Sequence, residues 1–291
     1  MSLKVGCIGL GAMGAPMARH LAARGLLAAV ANRTHARAQA LAAELGVAAV
    51  EDPVELARRC DVILTCVTAD ADVLALCEAA ARARHAGLVV VDTSTIASAS
   101  ARQAAAVLRA AGGDFIDAPV SGGVEGAKNG RLSVMVGGDA ATLERVHPVL
   151  DAFAARITHM GAVGAGQDTK AVNQVLVAGI AQAVTEGLAL GAALGLAPER
   201  LLPTLQAGAA NSWFLEKRGA TMLRDEFAVG FKLSLLHKDL KIVQGLAGAA
   251  GTDTTVIDKS LADYARLMAM GHGDDDISGL IRLKRKPQAS L

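Results

Sequence analysis

The chain opens on KVGCIGLGAMG, residues 4–14. An apolar run of strand character enters a turn of the form G-x-G-x-x-G. It leaves that turn as APMARHLAARG (15–25), which has helical periodicity and ends on Gly25. Strand, glycine turn and helix in immediate succession restrict the fold sharply. Gly9 permits a tight turn, Gly11 lets the backbone approach a pyrophosphate, and Gly14 lets helix and strand pack closely. The helix start supplies N–H groups and partial positive charge to phosphate oxygens. The loop Gly9, Leu10, Gly11, Ala12, Met13 and Gly14 is therefore expected to lie against a dinucleotide.

Short apolar runs and helical stretches keep alternating over roughly the first 160 residues. Strands are expected at 26–32, 61–68, 87–94 and 114–120, separated by helices. The helix over 34–45 has Thr34 as its candidate N-cap. Continuous apolar strands between helices indicate a parallel sheet covered on both faces. RLSVMVGG (131–138) adds a strand, expected antiparallel at an edge. From about residue 164 onward only helical periodicity is found. The expected architecture is an α/β Rossmann-type N-terminal domain, residues 1–162, and an all-α C-terminal domain, residues 163–291. A long interdomain helix from about 166 to 195 joins them.

Composition excludes several partners. The formal net charge is +1 and aromatics are only 2% of the chain, so neither phosphate polymers nor a stacking platform for single strands is indicated. The apolar stretch 175–197 contains Gln182, Thr185 and Glu186, which weighs against a membrane span. No signal peptide is read at the N-terminus. Cys7, Cys60, Cys66 and Cys77 form no CxxC pair and read as buried thiols of a reducing cytoplasm, not as a zinc site or disulfide. No metal site is expected. The basic tail RLKRKPQASL (282–291) reads as solvated chain.

The end of the second strand bears on cofactor type. An NAD site would place an Asp or Glu there to accept a ribose hydroxyl. This chain has Asn32, Arg33 and Thr34 instead. Arg33 can pair with a 2′-phosphate and Thr34 can donate to it. NADP(H) is the expected preference, with NAD(H) possible.

Three further stretches combine small and polar residues in positions that suit chemistry. DAPVSGG (117–123) closes a strand on a serine and two glycines able to hold a small carboxylate. VDTSTI (91–96) brings Thr95 to the end of another strand. GQDTKAVNQ (166–174) puts Lys170, Asn173 and Gln174 on one helical face, with apolar Val177, Ala181, Val184 and Leu188 farther along that stripe.

Together with FKLSLLHKDL (231–240) and GDDDIS (273–278), these motifs resemble the β-hydroxyacid dehydrogenase family. That family includes 3-hydroxyisobutyrate dehydrogenase, tartronate semialdehyde reductase and glyoxylate or succinic semialdehyde reductases. The resemblance spans nearly the whole chain. It implies Lys170 as acid/base, and Ser121, Gly122 and Gly123 as holders of the substrate carboxylate. It implies Asn173 or Gln174 on the substrate oxygens, and Thr95 and Lys238 on the cofactor. Asp239 would orient Lys238. Two departures stand out. The frequent Asn-Asn after the lysine is Asn-Gln here, and the usual M-L-P after the fourth strand is Cys66-Val67-Thr68. The first touches substrate preference, the second local cofactor contact at Cys66 and Val67.

The resemblance implies reversible hydride transfer between a small β-hydroxy acid and its semialdehyde, or a small 2-oxo or aldehyde acid. Lys170 would act as proton donor at a cleft between the domains. A lysine near its ordinary value of about 10.4 is a poor base at neutral pH. Partial desolvation and the positive end of its helix are expected to lower it. Alternatives are an imine reductase, a 6-phosphogluconate-type dehydrogenase, or a non-catalytic NADP-binding sensor. A homodimer or homotetramer is expected. The face Gly187, Gly191, Gly195 would serve either subunit contact or packing within the chain. Asn211, Trp213, Phe214 and Phe231 are candidates for shaping the pocket.

Overall fold

Strands form where β-branched and small apolar residues run together, and glycine or a helix cap punctuates each one. The computed structural model describes residues 3–285. In chain order come β1 (Val5–Ile8), α1 (Gly14–Ala23), β2 (Leu27–Ala31), α2 (His35–Leu45), β3 (Ala48–Ala49) and α3 (Pro53–Arg59). Next are β4 (Val62–Thr65), α4 (Asp70–Arg82), β5 (Val89–Asp92), α5 (Ser98–Ala110) and β6 (Asp114–Asp117). β7 (Val120–Ser121), α6 (Gly123–Lys128), β8 (Leu132–Gly137), α7 (Ala140–Asp151) and β9 (Ala154–Gly161) complete the α/β part.

These strands make one sheet in the order β3-β2-β1-β4-β5-β6-β8-β7, with β9 paired to β8. Every pairing from β3 through β6 is parallel. Successive strand residues point to opposite faces, and the core divides accordingly. Val5, Cys7, Val62, Leu64, Val89 and Val91 pack with α1, α2, α6 and α7. Ile8, Ile63 and Val90 pack on the other side with α3, α4 and α5. The chain reverses its direction of strand addition between β1 and β4, the switch point where such sheets bind ligands.

The sequence reading needs three corrections in this region. The run 114–120 is two strands, because Pro119 has no N–H to donate and the chain bends after Asp117; β7 then pairs antiparallel with β8. The strand at 131–138 is antiparallel to β6 and β7 but is not an edge, since β9 lies parallel along it. The sequence reading does not anticipate β9, because its residues are mostly half-buried or exposed and lack a clean apolar alternation.

The chain divides into two compact units, Met1–Lys170 and Ala171–Leu291. α8 (Ala165–Ala193) starts in the first and runs into the second. The second unit continues with α9 (Pro198–Gln206), α10 (Trp213–Leu223), α11 (Leu233–Ala250), α12 (Thr255–Ala269), a 3-10 turn (Ile277–Leu280) and α13 (Ile281–Lys284). Its core joins Ala178, Ala181 and Leu188 of α8 to Leu236, Leu240, Tyr264, Leu267 and Leu280. α8 is long and apolar enough to cross a bilayer by length and composition alone. Here its buried face builds this core.

One C-terminal expectation changes. The stretch 282–285 is not solvated chain: Arg282 bonds Asp275 and stacks on Phe227, and Lys284 Nζ donates to Gln182 Oε1 at 2.6 Å. Residues 286–291 of that tail lie outside the described residues. Of the glycines 187, 191 and 195, expected to serve either subunit contact or packing within the chain, Gly191 has a packing partner within the chain. A side chain at Gly191 would come within 2.6 Å of Leu201 on α9, whereas Gly195, with φ of 68°, ends the helix. Gly191 therefore serves packing within the chain.

Candidate active site

The glycine turn adopts the geometry its residues permit. Gly9 has φ of 93°, a region open to glycine, and donates its N–H to Ala31 O. A Cβ at Gly14 would lie 1.9 Å from Gly9 O, so α1 can sit on the strand end only without a side chain there. A Cβ at Gly11 would meet nothing within 4 Å. No side chain caps the start of α1 at Met13. The turn thus offers open backbone at a helix N-terminus, which fits a pyrophosphate.

Asn32 acts from inside this turn. Its Oδ1 accepts from Leu10 N at 2.9 Å and its Nδ2 donates to Thr34 O at 3.1 Å. The amide therefore ties the loop containing Leu10 and Ala12 to the end of β2. Arg33 and Thr34 are exposed just beyond it. Thr34 occupies the N-cap position of α2, but its hydroxyl makes no capping bond. Arg37, in the first turn of α2, is exposed and lines a shallow hollow with Leu10, Arg19 and Glu44. The sequence reading missed Arg37; a second arginine four residues after Arg33 was the available signal.

The ends of β4 and β5 are locked to each other beside the turn. Thr65 Oγ1 donates to Asp92 Oδ1 at 2.7 Å, and Thr93 Oγ1 donates to Thr65 O. Val67 N donates to Ser94 Oγ at 2.9 Å, and Cys66 N to Ile8 O. A Cβ at Gly9 would strike Cys66 O at 2.2 Å, so Cys66 and Val67 border the glycine turn. Burial pushes the Cys66 thiol up to about 11, and all four cysteines are unbridged. Thr95 follows directly on Ser94, half-buried.

Lys170 is 7% exposed, and its Nζ donates to Val120 O at 2.9 Å. That carbonyl immediately precedes Ser121, so the ammonium lies at the Ser-Gly-Gly segment. Gly122 and Gly123 have φ of 132° and 61°. The left-handed backbone there turns the chain away from β7 after Ser121 and starts α6 at Gly123. Within the first unit the fold therefore brings together Lys170 and Ser121–Gly123, residues separated by about 50 positions.

Two buried side chains that the sequence reading passed over set the start of α8. Asp117 accepts from Gly164 N at 2.8 Å and Gln167 N at 2.9 Å. Burial raises its carboxyl to about 6, against the pull of those N–H groups. Gln167 reaches the β5 loop: its Nε2 donates to Ser94 O at 2.8 Å and its Oε1 accepts from Ile96 N at 3.2 Å. The tight glycines around it were the signal, since a Cβ at Gly166 would lie 2.4 Å from Met135 O.

In the second unit a polar chain joins four of the remaining candidates. Asn173 Nδ2 donates to Gln174 Oε1 at 2.8 Å, and Gln174 Nε2 donates to Asp239 Oδ2 at 2.7 Å. Lys238 Nζ pairs with Asp239 Oδ1 at 2.9 Å. Gln174 is 1% exposed and engaged at both ends of its amide, so its geometry suits holding Asn173 and Asp239, not gripping a ligand. Of the residues expected to shape a pocket, Phe214 is buried, Trp213 carries Arg218 over its ring, and Asn211 bonds Glu216. Phe231 is held by its backbone. Asp276 Oδ2 accepts from Gly230 N and Phe231 N at 2.8 and 3.0 Å. Among the described residues no cluster of His, Cys, Asp and Glu could hold a metal ion.

Residues 4–161 match the family model for the NAD binding domain of 6-phosphogluconate dehydrogenase. Residues 164–284 match the model described as NAD-binding of NADP-dependent 3-hydroxyisobutyrate dehydrogenase. The chain is 37% identical over 82% of its length to the 2-hydroxy-3-oxopropionate reductase of Escherichia coli, covering 82% of that protein. It is 35% identical over 96% of its length to the NAD-dependent L-serine dehydrogenase of Pseudomonas aeruginosa, covering 97% of it. The structure of Mycobacterium tuberculosis 3-hydroxyisobutyrate dehydrogenase with L-serine superposes with a TM-score of 0.89 at 32% identity. That match covers 98% of this chain and all of the other.

Proposed function

Since the chain belongs to the β-hydroxyacid dehydrogenase family and is an NAD(P)-dependent dehydrogenase, we propose that it interconverts a small β-hydroxy acid and its semialdehyde, with Lys170 moving the proton. The observation that carries this reading is the placement of the Lys170 ammonium 2.9 Å from the carbonyl that precedes Ser121. A cation with that position, buried to 93% of its surface, can face an oxygen held by the Ser-Gly-Gly backbone.

The residues divide the work. Gly9, Gly11 and Gly14 open the turn that would hold the pyrophosphate, and Arg33 and Thr34 would hold a 2′-phosphate, so NADP(H) is preferred over NAD(H). When bound, the dinucleotide supplies or takes up the hydride. Ser121, Gly122 and Gly123 hold the substrate carboxylate, and Asn173, one turn beyond Lys170 on α8, holds a substrate oxygen. In the reducing direction Lys170 gives its proton to the carbonyl oxygen as negative charge gathers there; in the oxidising direction it takes the hydroxyl proton. For Lys238, which pairs with Asp239 at 2.9 Å, the proposed role is contact with the cofactor. We further propose a cytoplasmic homodimer or homotetramer, supported by an exposed apolar stripe on α8 that includes Leu176 and Leu190.

The test is NADPH oxidation with glyoxylate, succinic semialdehyde, tartronate semialdehyde and methylmalonate semialdehyde. With whichever is turned over, Lys170→Ala should cut kcat by at least about 100-fold while NADPH still binds. A near-normal kcat in that variant would remove the lysine from the mechanism.

A further inference from the structure

The start of α8 carries more than Lys170. Gln167, one turn earlier, is 3% exposed and lies in none of the roles assigned above. Its carboxamide behaves like one residue of a neighbouring strand. It gives Nε2–H to Ser94 O and takes the Ile96 N–H on Oε1, so it brackets the backbone of Thr95 from both sides. Its own backbone N–H goes to Asp117 Oδ2, and the other oxygen of that carboxylate takes Gly164 N. One side chain and one peptide group thus join the Thr95 loop, the end of β6 and the helix start that bears Lys170. These bonds are all in the first unit, and the residues they join are 47 to 73 positions apart in sequence.

The chemical consequence follows from the exacting geometry of hydride and proton transfer. The two must reach the carbonyl carbon and oxygen in register, and a displacement of about 1 Å can cost on the order of 100-fold in rate. Thr95 leads toward the cofactor side and Lys170 toward the proton. The structure assigns Gln167 as a positioning residue that sets the spacing between the Thr95 loop and the Lys170 helix. This rests on the reading of Lys170 and Thr95 given above. At neutral pH an amide does this where a carboxylate does not, because the site asks for one donor and one acceptor on a planar group. A carboxylate would keep the bond to Ile96 N and set a negative charge against Ser94 O.

The experiment compares the wild-type protein with Gln167→Met, Gln167→Glu and Lys170→Ala. In the cofactor-free protein, amide hydrogen exchange at Ile96 should quicken at least about tenfold in Gln167→Met. With substrate, kcat should fall at least about tenfold with KM for NADPH within about twofold. The isotope effect with NADPH deuterated at the transferred position should rise as transfer becomes limiting. Gln167→Glu provides a second reading should the methionine variant not fold. A protonated glutamic acid restores one donor and one acceptor, so its activity relative to wild type should climb as pH falls. Wild-type kcat in Gln167→Met, or a flat ratio across pH in Gln167→Glu, overturns the assignment. Retained turnover in Lys170→Ala overturns the reading of the site instead, and the exchange rate of Ile96 still decides whether the clamp exists.

Discussion

Arg33 is an exposed arginine at the position where an acidic residue would otherwise accept ribose hydroxyls. Its charge is therefore available to a phosphate. Arg33→Asp should lower the ratio of kcat/KM for NADPH over NADH at least about tenfold, measured with one substrate at fixed salt. An unchanged ratio would leave the proposed preference for NADP(H) without its main support. Asn32 shows the limit of reading at this scale. It stands beside Arg33 in the sequence, yet its side chain is turned back to hold Leu10 N and Thr34 O. Gln174 is similar: its position on the Lys170 stripe was legible, but its bond to Asp239, 65 positions away, was not.

At the scale of elements, the joint between β6 and α8 depends on one carboxylate. Asp117 closes β6 and accepts two backbone N–H groups at the start of α8. Its ordinary value is 3.8, and burial lifts it to about 6 in the fold. The folded state therefore holds this proton more tightly than the unfolded chain. The contribution favours folding fully below about pH 4 and is lost as pH rises through about 6, by at most about 3 kcal/mol. The difference in Tm between wild type and Asp117→Asn should accordingly shrink from pH 4 to pH 7, followed by calorimetry. A difference that stays level across that range would mean Asp117 does not titrate there. The strand–turn–helix at residues 5–23 was legible because its determinants are consecutive. The break at Pro119 stood in the sequence, but that β7 then pairs with β8 depends on the rest of the sheet.

For the molecule as a whole, the exposed face of α8 is the feature left to explain. Val172, Leu176, Ile180 and Leu190 fall within an arc of about 80° at the turn of an α-helix, and Leu176 and Leu190 are each about 60% exposed. A stripe of that length suits a second copy of the chain. Leu176→Asp together with Leu190→Asp should reduce the mass measured by light scattering to that of one chain, with the helical circular dichroism kept. An oligomer of unchanged mass would place the contact elsewhere.

By itself the sequence determined the elements whose signals are local. These are the glycine turn on β1 and α1, the parallel alternation that follows, the helical remainder, and the small set of polar residues that identify the family. Tertiary structure alone decided the partnerships. Asp117 and Gln167 became the anchors of the Lys170 helix, Gln174 and Asp239 became a buried pair, and Lys284 left the expected tail for Gln182. The physical reason is common to all of them. A buried polar group must find a partner wherever folding brings one, and periodicity along the chain carries no record of which distant residue that will be.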